Sequence, residues 1–145
     1  MILREATDAD LEALYEHQAH PEVKALAEHP GRDRDAFFLH MKTRVLGYPG
    51  NTFLVIEVDG AVAGNVCAWH QDGKLWVGYL LGRAWWGRGL ASWALGELLK
   101  VMTERPAHAD VAKANLPSQR VLEKNGFLRV AERDDGFDYV LAASE

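Results

Sequence analysis

The most constraining feature of this sequence is a glycine-rich turn between an apolar run and an amphipathic segment. The run covers residues 75–81, and the turn, residues 83–91, contains Gly87 and Gly89. We interpret the arrangement as a strand that feeds a helix, because two glycines spaced by one residue let the backbone turn tightly and approach a ligand. The first N–H groups of that helix lack intrahelical acceptors and lie at its positive dipole end. The turn therefore predicts an anion site, with pyrophosphate as the favoured ligand.

The length and composition predict one domain over residues 1–145. A chain of 145 residues buries about 70% of its unfolded surface, and 48% apolar with 26% charged residues is typical of globular proteins. The net charge is −5 and no basic run is present, so we expect no nucleic-acid partner. The only cysteine, Cys67, cannot form an internal disulfide, which fits a reducing compartment.

The sequence also bears on localisation and on metal binding. The first residues lack the apolar core and cleavage site of a signal peptide, and no apolar run approaches the ~20 residues of a membrane span. We therefore expect a soluble cytoplasmic protein without a membrane partner. His17 and His20 lie close together on one predicted helix, but no third ligand has useful spacing, so we expect no metal.

Hydrophobic periodicity and turn residues predict an ordered series of strands and helices. Predicted strands cover residues 1–6, 53–58, 61–69, 75–81, 109–114, 127–132 and 137–141. Predicted helices cover a segment that ends before Pro21, a segment around residues 37–46, residues 90 to about 105, and residues 116–124; residues 23–26 form a turn or a short helix. Strands 53–58, 61–69 and 75–81 form an antiparallel meander, and the helix from residue 90 allows strand 109–114 to lie parallel to strand 75–81.

Two motifs in this order resemble those of the GNAT superfamily of acyl-CoA-dependent N-acyltransferases. Trp-Gly-Arg-Gly-Leu-Ala at residues 86–91 is similar to its pyrophosphate-binding motif. Asn115-x-x-Ser118, followed by Leu-Glu-Lys-Asn-Gly-Phe at residues 122–127, is similar to its second signature. The resemblance covers nearly the whole chain and is greatest to the subgroup of ribosomal-protein N-terminal acetyltransferases. It implies an α/β (α+β) fold with a mostly antiparallel central sheet of about seven strands, flanking helices, and a splay between strands four and five.

The resemblance also implies how acetyl-CoA is bound. Backbone N–H groups would hold the pyrophosphate, and they belong to Gly87, Arg88, Gly89, Leu90 and Ala91. Leu81 would offer backbone groups to the pantetheine arm and the thioester. Asn115 would bond the pantetheine amides, with service as a helix N-cap as the alternative role. Trp86 stands where many members have Arg or Gln, and we expect Arg88 to compensate.

Two residues are candidates for the general base. Asp110 is the first, because some members carry an acid five residues before the signature Asn. An ordinary Asp has a pKa near ~3.9, so Asp110 would need a raised pKa or would act through water; a surface acid is the alternative. His70, with an ordinary pKa near ~6.5, is the second candidate if it faces the cleft, and an exposed hairpin histidine is its alternative role.

The proton for the departing thiolate has a candidate donor in Ser118. This residue matches a serine that is thought to serve the thiolate in the family, although cofactor contact is the favoured role here. Many relatives use a Tyr where this chain has Leu122, and Tyr79 is held in reserve as a donor. The alternative role of Tyr79 is a packing residue of the core, because an aromatic residue in a strand is usually buried.

The functional prediction is an acetyl-CoA-dependent N-acetyltransferase. The acetyl group would pass directly from the CoA thioester to a primary amine on a small molecule or a protein N-terminus, and another acyl group stays open. The alternative is a non-catalytic acyl-CoA-binding regulatory module. The sequence names no specific amine acceptor, and both a monomer and a homodimer remain open.

Overall fold

The computed structural model of the protein describes residues 1–143. Its strands are β1 Ile2–Glu5, β2 Thr52–Val58, β3 Ala61–Gln71, β4 Lys74–Leu81, β5 Ala107–Ala112, β6 Leu128–Glu132 and β7 Gly136–Leu141. Its α-helices are α1 Leu11–Ala19, α2 Pro21–Ala27, α3 Arg34–His40, α4 Leu90–Val101 and α5 Leu116–Lys124. A π-helical turn, Met41–Val45, continues α3, and short 3-10 turns precede α1 and follow β4.

The strands form one mixed sheet in the order β1-β2-β3-β4-β5-β7-β6. Every neighbouring pair is antiparallel except β4 and β5, which are parallel. The parallel pair follows from the α4 crossover, since this helix runs back along the sheet and returns the chain to the end at which β4 began. The predicted fold class, a mostly antiparallel sheet of seven strands with flanking helices, is confirmed.

Strands β4 and β5 separate soon after they begin. They pair at Leu75 with Ala107 and at Trp76 with His108, and no register pair joins them beyond that point. Both strands continue, β4 to Leu81 and β5 to Ala112, so a wedge opens between their carboxyl ends. The predicted splay between strands four and five is therefore confirmed.

The two faces of the sheet carry different helices. One face packs on α4 and α5 and contains the larger cluster of buried apolar side chains, including Leu95, Leu98 and Tyr139. The other face packs on α1 and α3 in a smaller cluster around Leu11 and Phe37. Between the sheet and the helices of this second face a cavity remains beside the wedge.

Two predicted boundaries differ from the structure. Helix α4 ends at Val101 instead of near residue 105, because the Arg105 guanidinium donates to the carbonyls of Met102 and Leu99, at 2.8 and 3.2 Å. These bonds satisfy carbonyls that the helix end leaves free. Strand β5 covers Ala107–Ala112 instead of residues 109–114, since its ladder with β7 begins at Ala107.

The stability of the fold should depend on the buried face of α4 and not on its exposed face. Leu98 is 0% exposed, whereas Val101 in the same helix is 72% exposed. We expect Leu98→Ala to lower the free energy of unfolding by about 2–5 kcal/mol through cavity formation. Val101→Ala should change it by less than about 0.5 kcal/mol. Urea denaturation followed by circular dichroism measures both, and equal losses would contradict this packing.

Candidate functional site

The glycine-rich turn ends in an uncapped helix. Gly87 and Gly89 have φ values of 81° and 72°, a left-handed conformation that favours glycine, and Gly89 is the N-cap residue of α4. No side chain caps this helix end. The first N–H groups of α4 therefore point away from the helix without an acceptor within it. A Cβ atom added at either glycine would meet nothing within 4 Å, so the space in front of these groups is open.

Two tryptophan side chains, those of Trp85 and Trp86, take part in contacts that stabilise the glycine-rich turn. The Trp86 indole N–H donates to the Leu81 carbonyl at 3.2 Å. The guanidinium of Arg83 lies 4.7 Å from the Trp86 ring centroid, and that of Arg88 lies 4.9 Å from the Trp85 ring centroid. Trp86 thus ties the turn to the end of β4. The positive charge near the helix end comes from arginines that stack on the two tryptophans.

The wedge exposes backbone groups of β4. Along a strand, the backbone N–H and C=O groups of successive residues point alternately to the strand on one side and to the strand on the other. The Gly82 N–H donates to the Ala63 carbonyl at 2.9 Å, so in the β3–β4 register Gly82, Leu80 and Gly78 direct their backbone groups to β3. Tyr79 and Leu81 therefore direct their N–H groups into the wedge. The predicted role of Leu81 can involve its N–H, because its carbonyl already accepts from Trp86.

Helix α5 faces β4 across the same wedge. The Asn115 side chain accepts from the Ser118 N–H at 3.2 Å, so Asn115 is the N-cap of α5. The Ser118 hydroxyl lies 2.8 Å from the Tyr79 hydroxyl, which also donates to the Ser118 carbonyl at 2.9 Å. Burial raises the pKa of the Tyr79 phenol above its usual value, so the phenol stays protonated at neutral pH. The structure thus joins Ser118 with Tyr79, which the sequence held in reserve.

Two cavities meet at this pair of hydroxyls. One, of about 460 Å³, runs along the glycine turn and the start of α4, and is called here the donor cavity. The other, of about 850 Å³, lies between the sheet and helices α1, α2 and α3, and is called here the acceptor groove. Six residues border both: Val23, Ala27, Tyr79, Leu80, Asn115 and Ser118. The two cavities therefore adjoin at the wedge.

Helix α2 borders both cavities, and it was predicted only as a turn or a short helix. Its Glu22 carboxylate pairs with the Arg83 guanidinium at 2.8 Å, which ties α2 to the turn after β4. The favourable contact with Arg83 lowers the pKa of Glu22. Pro21 at the first helical position was the sequence signal for this helix.

Asp110 lies on the acceptor side of the sheet. Its neighbours Ala109 and Val111 are buried in the core under α4 and α5, so the Asp110 side chain points to the opposite face. It borders the acceptor groove and stands opposite Asp138 of β7. Asp110 and the Tyr79–Ser118 pair thus flank the wedge from different faces of the sheet.

His70 lies apart from these groups. It pairs with Leu75, at the closed end of the wedge, and its Nε2 is 2.8 Å from a Glu104 carboxylate oxygen. The hydrogen bond to Glu104 raises the pKa of His70. The structure therefore brings Asn115, Ser118, Tyr79 and Asp110 to the wedge, and places His70 at the far rim of the acceptor groove.

The floor of the acceptor groove is apolar and aromatic. Phe53 and Trp69 line it, and the Trp69 ring covers Gly78, where an added Cβ atom would come within 3.2 Å of the ring. Burial raises the pKa of the Cys67 thiol to about 12, so it is no thiolate at neutral pH. In residues 1–143 no group of three or more His, Cys, Asp or Glu side chains is arranged to hold a metal. No helix of the same residues is long and apolar enough to cross a membrane.

Comparisons with known proteins agree with this geometry. The family model described as "Acetyltransferase (GNAT) domain" matches residues 1–128. No significant match to a curated protein is found.

Several solved structures share the fold. An acetyltransferase of the GNAT family from Bacillus anthracis superimposes with a TM-score of 0.81 at 19% identity, over 97% of this chain and 93% of the other. Spermidine N-acetyltransferase from Vibrio cholerae, in complex with CoA and spermine, superimposes with a TM-score of 0.82 at 14% identity, over 97% of this chain and 94% of the other. A putative acetyltransferase from Salmonella typhimurium, with its cofactor acetyl-CoA, superimposes with a TM-score of 0.78 at 22% identity, over 99% of this chain and 94% of the other. At these identities the likeness establishes the fold.

Proposed function

Because the chain belongs to the GNAT acetyltransferase family, we propose that it is an acetyl-CoA-dependent N-acetyltransferase that transfers the acetyl group directly to a primary amine. The observation that carries this proposal is the meeting of two cavities at the wedge. One cavity contains the uncapped start of α4, the other is a separate groove, and the hydroxyl groups of Tyr79 and Ser118 border both. Residues 1–145 would act as one domain.

The donor cavity suits CoA. The N–H groups at residues 87–91 would hold the pyrophosphate, since they form an open, uncapped helix end with a positive dipole. The N–H groups of Tyr79 and Leu81 would bind the pantetheine arm and the thioester carbonyl as an added strand edge does. Asn115 keeps its side-chain NH₂ for the same arm, because only its oxygen is used in capping α5. Acetyl-CoA supplies the acetyl group as a thioester.

The acceptor side needs a neutral amine. The Asp110 carboxylate accepts the proton of the incoming ammonium, directly or through a water molecule, because it faces the groove from β5 and lies next to the wedge. Much of the rate comes from holding amine and thioester together in the wedge. His70 lies at the far rim and pairs with Glu104, so we assign the base to Asp110.

The donor side needs a proton for the departing thiolate. Tyr79 is assigned this role, with Ser118 as its hydrogen-bond partner, because a phenol is far more acidic than an aliphatic hydroxyl. Leu122, which stands where many relatives carry a Tyr, is buried under the sheet. A phenol from β4 would thus replace a phenol from α5.

The acceptor amine belongs to a small molecule or to a protein N-terminus. The resemblance of residues 85–91 and of Asn115 and Ser118 to the ribosomal-protein N-terminal acetyltransferases supports the second source. The spermine bound in one structural neighbour supports the first. Release of free CoA thiol with a panel of amines and peptides tests the transfer and separates the two sources.

Acetyl-CoA binding should depend on Gly89. We expect saturating acetyl-CoA, at about 100 times its Kd, to raise the Tm of the protein by roughly 8 °C. Gly89→Glu should abolish the rise, because a carboxylate would enter the anion site. Gly73→Glu is the matched control, since Gly73 has φ 74° and equally open space but lies in the β3–β4 turn. Differential scanning fluorimetry measures all three proteins.

Two outcomes of this measurement would change the proposal. A full Tm rise in Gly89→Glu would refute the anion site at the helix end. A normal rise in the parent protein, combined with no CoA release from any amine, would favour the alternative of a non-catalytic acyl-CoA-binding module.

Asp110→Asn should lower kcat by about a hundredfold and leave the acetyl-CoA-induced Tm rise unchanged, because it removes a proton acceptor without altering the donor cavity. The limb of the pH–rate profile that reports the base should also change. Asp138→Asn is the control, since this neighbouring carboxylate already pairs with Arg133. An unchanged pH–rate profile in Asp110→Asn would remove Asp110 as the base.

Tyr79→Phe should lower kcat by at least about tenfold while the KM for acetyl-CoA stays within about twofold, since only the proton donor is lost. Ser118→Ala should cost less, because the phenol remains. Steady-state kinetics of CoA release compares the two. A larger loss in Ser118→Ala than in Tyr79→Phe would transfer the donor role to Ser118.

A further inference from the structure

The acceptor groove has the opposite charge to the rest of the chain. The net charge of the protein is −5. The groove, however, is lined by the fixed positive charges of Lys24, Arg32 and Arg44 and by one carboxylate, that of Asp110. Within residues 1–143 none of these three cations takes part in an ion pair. Positive charge collected in a cleft of an acidic protein attracts anions to that cleft specifically.

The segment that carries Arg32 is fixed against helices α1 and α2. The Gln18 side-chain oxygen accepts from the Arg32 N–H at 2.8 Å, and its NH₂ group donates to the Arg32 carbonyl at 3.1 Å. Gly31 has φ 73°, and a Cβ atom added there would come within 3.1 Å of Lys24 Cε. Lys24 thus packs over the glycine beside Arg32, so the two cations share one wall of the groove.

Arg44 reaches the groove from the π-helical turn after α3. Asn51, which also lines the groove, donates from its side chain to the Arg44 carbonyl at 3.0 Å. His40 lies in the same wall, and burial together with the charges of Arg32 and Arg44 lowers its pKa. The imidazole is therefore neutral at neutral pH, and both guanidinium groups act on the same ring. The cations converge from three separate elements.

We infer that the acceptor is a small primary amine that also carries an anionic group, a carboxylate or a phosphate. This inference rests on the proposed N-acetyl transfer and narrows its acceptor. The anionic group binds the wall formed by Lys24, Arg32 and Arg44, and the amine lies toward Asp110 and the wedge. Guanidinium groups bind both carboxylates and phosphates with paired hydrogen bonds. A polycationic amine would meet like charges in this wall.

Matched amines test the inference. The pairs are L-leucine with L-leucinamide and O-phosphoethanolamine with ethanolamine, which separate a carboxylate from a phosphate. Spermidine serves as a polycation, and a tetrapeptide with amino-terminal leucine and two aspartates serves as an acidic peptide. We expect kcat/KM to be at least about tenfold higher for the anionic member of one pair. Added NaCl should reduce that preference, because salt screens the attraction.

Substitutions locate the anion-binding wall. Arg32→Gln and Arg44→Gln should each lower kcat/KM for the preferred anionic amine by about tenfold. The kcat/KM for the neutral amine of the same pair should change by less than about twofold. Lys42→Gln is the control, since Lys42 is an exposed cation two residues before Arg44 and lies outside the groove lining. A retained acetyl-CoA-induced Tm rise shows that each variant is folded.

Each outcome decides the inference. Equal rates within both pairs, a preference for neutral amines or spermidine, or a tetrapeptide preferred more than tenfold over leucine would overturn it. If no amine is acetylated, calorimetric titration of the same pairs into CoA-saturated protein replaces the kinetics. Tighter binding of the anionic member would then support the groove while the proposed transfer fails, and equal binding would overturn the inference.

Discussion

The separation of β4 from β5 is the constraint on which the rest of the site depends. Two parallel strands that part after two register pairs leave backbone N–H and C=O groups without sheet partners, and such groups are costly unless they are satisfied. The protein meets part of this cost itself. The Trp86 indole N–H donates to the Leu81 carbonyl and so satisfies one of these groups. The N–H groups that remain can be satisfied by a ligand.

The wedge also divides the chemistry between the two faces of the sheet. Side chains alternate along a strand, so neighbouring residues on β4 and β5 serve different compartments. Tyr79 faces the layer of α4 and α5, where the leaving group would lie, whereas Asp110 faces the groove through which an amine would arrive. The proposed proton acceptor, Asp110, and the proposed proton donor, Tyr79, therefore lie on opposite faces of the sheet.

Local signals in the sequence predicted most of the fold, but not the contacts that bring the candidate site residues together. The glycines at 87 and 89, the N-cap Asn115 and the hairpin turns are each set by a few neighbouring residues, which explains why the order of elements was predicted correctly. The splay was implied by the family resemblance. Contacts between residues far apart in the sequence could not be predicted from these local signals. Arg105 stops α4 at Val101, Glu104 holds His70 at the rim, and Tyr79 meets Ser118 across 39 positions of sequence. The clustering of Lys24, Arg32 and Arg44 likewise arises only when the chain folds.

Helix α2 is seven residues long, borders both cavities and is tied by Glu22 to the turn that begins the anion site. Both substrates would therefore contact this one helix. If one of them shifts α2, the affinity for the other changes, and the factor must be the same whichever binds first. The cooperativity between donor and acceptor would then be a property of this one helix.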